Sequence, residues 1–73
     1  MQGFDVYTKC GTEGYIRTAK IPFEHYTKIE WALQLVDCPW DESKKVYKVI
    51  TSFAMTTPDA VIYMDEGAIL TMQ

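Results

Sequence analysis

The chain reads as an α+β protein: a single domain, ββαβββ, with one helix packed on an antiparallel sheet. Three observations predict that class. Apolar and polar residues alternate through residues 4–10 and again through 46–55, the period of a strand. Between them Ile29, Ala32, Leu33 and Val36 fall at i, i+3, i+4 and i+7, the period of a helix face. Glycine, proline and aspartate clusters punctuate the rest. Seventy-three residues make one compact domain, 1–73. A domain near that size buries only about 60–65% of the surface its extended chain exposes.

The elements follow in order. Residues 4–10 place Phe4, Val6, Thr8 and Cys10 on one face and Asp5, Tyr7 and Lys9 on the other. Gly11-Thr12-Glu13-Gly14 is the turn of a hairpin, and Tyr15 to Ile21 is its return strand. Pro22 closes that strand and can open a helix over 23–37. Thr27 and Glu30 fit a capping box, which allows the regular helix to begin at Thr27. Cys38-Pro39 stops it, because the residue before proline is pushed out of the helical region. Pro39 to Lys45 reads as a charged loop, and Val46 to Met55 as one long strand. Thr56 to Asp59 is a turn. Ala60–Met64 and Ala68–Met72 then form a closing hairpin around Asp65-Glu66-Gly67. The helix is expected on the sheet face bearing Phe4 and Val6. The face with Asp5, Tyr7, Lys9 and Lys48 is left to solvent or to a contact.

Composition excludes several functions. No stretch approaches the roughly 20 apolar residues of a membrane span, and no basic and apolar leader opens the chain. A soluble protein of the cytoplasm is expected. Cys10 and Cys38 lie outside any metal or redox spacing and read as two small buried hydrophobes. A disulfide joining the first strand to the helix end is the alternative. His25 is the single imidazole, and no signature sets either cysteine beside it as a nucleophile. The carboxylates lack metal-loop spacing and the glycines lack phosphate-loop spacing, so neither metal nor cofactor is expected. No catalytic residue stands out, and the chain reads as a non-enzyme.

What remains is a surplus of rings. Three Phe, five Tyr and two Trp are many for so small an interior. Tryptophan and tyrosine dominate binding hot spots because they bury much area at low entropic cost. Trp40, flanked by Asp37, Asp41 and Glu42, is the first candidate for a partner anchor; its alternative is a lid over the helix end. Trp31, with Leu35 four residues on, either widens the buried helix face or adds a contact. Met55, Met64 and Met72 add adaptable apolar surface or fill the core. Tyr7, with Lys9, Tyr15 and Arg17, could stack on and neutralise a single strand of nucleic acid. Lys44, Lys45 and Lys48 form a second basic cluster. Against that role stand a net charge of −3 and a pI near 4.9, where phosphate-gripping domains show a basic stripe.

In length, acidity, aromatic density and lack of catalytic residues the chain resembles small phage-encoded inhibitors of host machinery. These include anti-CRISPR proteins and phage inhibitors of RNA polymerase. The resemblance spans the whole chain and carries no motif. It implies a stoichiometric inhibitor in the host bacterial cytoplasm, masking a functional surface of a larger protein or nucleoprotein complex. A CRISPR effector is the first choice of target and bacterial RNA polymerase the second. It also implies that Asp37, Asp41, Glu42, Asp65 and Glu66 face a basic groove normally filled by phosphates. A nucleic-acid-binding regulator and a homodimer paired through its own aromatics are the other readings.

Overall fold

A computed structural model describes residues 3–12 and 14–72. The first hairpin forms as its alternation predicts: β1 (Gly3–Cys10) pairs antiparallel with β2 (Gly14–Pro22). Gly11 takes a left-handed φ of 61° in the turn, while Glu13 lies outside the described residues. Gly3 is fixed by proximity, since a Cβ there would lie 2.3 Å from the Ile21 carbonyl oxygen.

Beyond that hairpin the α+β class fails. The described residues are mostly β, 64% in strands against 14% helical. The helix expected over 23–37 is only a run of tight turns: 3₁₀ at Phe23–His25, α1 at Tyr26–Ile29, and 3₁₀ again at Glu30–Ala32. Its α part starts after His25 with no side-chain cap, so the box of Thr27 and Glu30 is not used. Leu33–Cys38 is instead strand β3. Leu33 and Val36 fit a helical stripe while Leu33 and Leu35 alternate as a strand does, and so short an apolar stretch does not distinguish the two. Pairing with the next segment decides the matter, because a strand there satisfies the backbone of both.

The charged loop is also a strand. Only Pro39 and Trp40 turn, and β4 runs Asp41–Val49. Asp41 and Lys45 pair with β3 alone, whereas Tyr47 and Lys48 also meet β7. The start of β4 therefore protrudes from the sheet, which accounts for its loop-like polarity.

The strand expected over 46–55 breaks at residues 50–52. There the Ile50 N–H donates to the Ala32 carbonyl, and the chain leaves the sheet. Phe53–Thr56 (β5) pairs with Val61–Met64 (β6) in a separate two-stranded ribbon. The closing hairpin is likewise undone: Ile69–Met72 (β7) inserts between β1 and β4 rather than pairing with β6. Gly67, at φ 92°, makes that change of sheet possible, and its N–H donates to the Val49 carbonyl. Ala68, Ile69 and Leu70 are all buried, as an unbroken apolar run at the centre of a sheet should be.

The main sheet thus has the order β2-β1-β7-β4-β3. One face carries Phe4, Val6, Val49 and Leu70, covered by Ile29 of α1 and by Met55 and Met64 of the ribbon. Phe4 is ringed by Phe23, Tyr26 and Tyr47 at centroid distances of 5.3–6.0 Å. Each such side chain contributes about 1.5–3 kcal/mol on full burial. Tyr26 and Tyr47 hydrogen-bond each other, and that bond together with burial pushes the Tyr26 phenol up to about 12. Among the described residues no helix is long and apolar enough to cross a membrane.

Candidate functional site

Among the described residues no second layer of helices or strands covers the opposite face of the main sheet. Strand alternation sends Asp5, Tyr7 and Lys9 to it, and directly paired residues share a face. Tyr7 is opposite Arg17 and Ile69, Asp5 opposite Lys20 and Thr71, and Lys9 opposite Tyr15. Lys48 is opposite both Ile69 and Gln34, and Val36 is opposite Val46. The sequence reading of Asp5, Tyr7, Lys9 and Lys48 as one surface describes this face.

Its centre is a small apolar cluster of Cys38, Val46 and Ile69, with Tyr7, Tyr15 and Val36 packed against it. Trp40 closes over that cluster. The hairpin of β3 and β4 has a bulge between Asp37 and Cys38, a device that strengthens local twist. Its tip folds over the sheet, setting the indole 5.0 Å from the Tyr7 ring and 5.3 Å from the Tyr15 ring. Ring pairs of this kind are worth about 0.5–1.5 kcal/mol each, so they hold the indole in place. Its other side remains open, with 48% of the residue exposed. Beside it is a cleft of about 510 Å³ floored by Tyr7, Val46 and Met72 and edged by Asp5 and Lys44.

The other expected contact residues are scattered. Asp37 accepts a hydrogen bond from the Lys45 ammonium. Asp41 accepts from the Ser43 hydroxyl at 2.6 Å and the Ser43 N–H at 3.1 Å, and Lys44 is 3.9 Å away. The Ser43 hydroxyl, then its N–H, holds the Asp41 carboxyl below its usual range. Glu42 is exposed beside them. Asp65 and Glu66 sit in the turn between β6 and β7, where the Glu66 N–H donates to the Ser52 hydroxyl. That turn adjoins the Val49 end of β4, about 26 Å of extended strand from Asp41 at roughly 3.3 Å per residue. The five carboxylates do not form one acidic surface.

Trp31 lies on the covering layer, 61% exposed, with its indole N–H bonded to the Lys28 carbonyl and its ring 5.5 Å from Phe53. Leu35, in β3 rather than on a helix, does not extend a helical face. Both cysteines are free, and only Cys38 is buried; Cys10 is exposed, against the expectation for both. A larger hollow of about 610 Å³ separates Lys20–Pro22 from Thr57–Ala60. Its polar groups do not converge: Lys20 opposes Glu24 and Asp59, and the Thr57 hydroxyl is spent on Ala60. Among the described residues no group of carboxylates, cysteines and histidine could hold a metal ion.

Sequence reasoning missed the charge sorting. The five strands of the main sheet carry six of the seven cations against four carboxylates, Asp5, Asp37, Asp41 and Glu42. Outside those strands the described residues carry Glu24, Glu30, Asp59, Asp65 and Glu66 against Lys28 alone. Alternation assigns Lys9, Arg17, Lys20, Lys44 and Lys48 to the open face with Asp5 and Glu42, while Lys20 also lines the hollow beside Glu24 and Asp59 and Lys44 lies 3.9 Å from Asp41. Asp5 lies 3.9 Å from Arg17. Among the described residues the covering layer is net negative. Only the pairing order reveals this, because the cations are dispersed along the sequence.

Compared with known proteins, the chain matches no family model, no curated protein and no solved structure.

Proposed function

We propose that this is a non-enzymatic binding protein whose working surface is the open sheet face centred on Trp40. It acts by occupying and so masking a surface of a larger complex, in the manner of the small phage inhibitors it resembles. A CRISPR effector is the first target to try and bacterial RNA polymerase the second. The observation that carries the reading is the indole itself: held on two tyrosine rings, half-exposed, and sharing its cleft with Lys44 and Lys45. A large ring fixed before binding loses little entropy on contact, which is the property of a hot spot. Engagement through a cationic face replaces the phosphate mimicry first expected, since the carboxylates needed for mimicry are dispersed and partly bonded to lysines.

Comigration on a sizing column with candidate complexes tests the proposal. The protein should comigrate, Trp40→Ala should lose comigration, and Trp31→Ala should keep it. Equal behaviour of the two variants would remove the open face as the working surface.

A further inference from the structure

We infer that the group this face takes from its partner is single-stranded nucleic acid. The inference rests on the open face being the working surface and adds the chemistry of what lies on it. Two features point the same way. The first is charge: alternation puts five cations against Asp5 and Glu42 on one face of a protein whose net charge is −3. Although Lys20 also lines the hollow with Glu24 and Asp59 and Lys44 lies 3.9 Å from Asp41, Lys9, Arg17 and Lys48 remain to complement a polyanion.

The second is the arrangement of those cations around rings. Arg17 and Lys20 are on β2 and Lys9 on β1; Lys44 and Lys48 are on β4, across β7. With strands about 4.8 Å apart, the two cationic flanks are roughly 14 Å from each other. Between them are Tyr7, Ile69 and the half-exposed Trp40. Cations at the margins and a ring at the centre suit a chain with phosphates on its outside and bases free to stack. A duplex offers no free base face to the indole. An acidic protein segment would satisfy the cations and leave the ring without a planar counterpart.

The test uses a fluorescein-labelled oligothymidylate of about 12 nucleotides, matching the usual footprint of a small stacking surface. Poly-L-glutamate serves as the protein-like polyanion. Anisotropy should show saturable binding of the oligonucleotide. With three to five phosphates engaged, affinity should fall about 20- to 100-fold between 50 and 200 mM salt. Trp40→Ala should weaken binding about 10-fold. The double reversal Lys9→Glu and Lys48→Glu, at two exposed positions that leave the core intact, should abolish it. Trp31→Ala should bind as the parent does. Oligonucleotide binding indifferent to Trp40 and to the double reversal would overturn the inference. So would poly-L-glutamate binding as tightly as the oligonucleotide. Trp40-dependent comigration with a complex, in a protein that binds no oligonucleotide, would overturn this inference alone and leave the contact face standing. Loss of both would remove the proposed function as well.

Discussion

The two faces of the main sheet are built from the same strands, yet they differ in nearly every respect. One is dry: Phe4, Val6, Val49 and Leu70 are almost wholly shielded beneath α1 and the β5–β6 ribbon. The other is covered by one tryptophan at the tip of a hairpin and edged by lysines and an arginine. Alternation makes this possible, because each residue step reverses the side and lets one strand serve two purposes. Net charge therefore describes the whole molecule and neither face. A protein of −3 can present a cationic surface if its carboxylates are gathered on the opposite layer.

Substitutions on each face should separate these roles. The largest effect belongs to the dry face: Phe4→Ala should cost about 3–5 kcal/mol in urea unfolding, because three packed rings lose their common neighbour. Next comes Gly3→Ala, expected to cost roughly 1–3 kcal/mol, since the new methyl meets the Ile21 backbone, which cannot move aside like a side chain. On the open face Trp40→Ala should cost only about 1–2 kcal/mol, the worth of two ring contacts on a half-exposed residue. A loss as large as that of Phe4→Ala would make the open face a second core and end the distinction.

Two smaller effects sharpen it. In native protein a thiol reagent should modify Cys10 quickly and Cys38 slowly, and Trp40→Ala should speed the reaction at Cys38 by uncovering its cluster. At high pH the dry face should respond through Tyr26. Its phenol titrates near 10 unfolded and about 12 folded, so the folded state holds the proton more tightly. The resulting stability is intact below pH 10 and is lost as pH rises from 10 through 12. Tyr26→Phe should flatten that part of the stability-versus-pH curve; an unchanged curve would show that the pair with Tyr47 does not govern it.

How much of this the sequence displays depends on how local the deciding interaction is. The first hairpin is legible because alternation and two turn glycines lie within about twenty residues of each other. Strand β3 is not, because Ile29, Ala32, Leu33 and Val36 satisfy a helical stripe while the partner that selects the strand comes afterwards. β7 reads correctly as a strand but with the wrong neighbour: its place between β1 and β4 is a pairing across more than sixty positions to Phe4. Trp40 is recognisable as unusual from its charged surroundings. That it folds onto Tyr7 and Tyr15 depends on a bulge and a twist that no spacing announces.

One measurement addresses the asymmetry of the molecule directly. Trp31→Phe leaves Trp40 as the sole indole, and Trp40→Phe leaves Trp31. Acrylamide should quench both in the free proteins, since both indoles are exposed. When oligothymidylate is added at low salt, Trp40 should become shielded and Trp31 should stay as accessible as before. Shielding of Trp31 with Trp40 unchanged would contradict the account and move the working surface to the covered side.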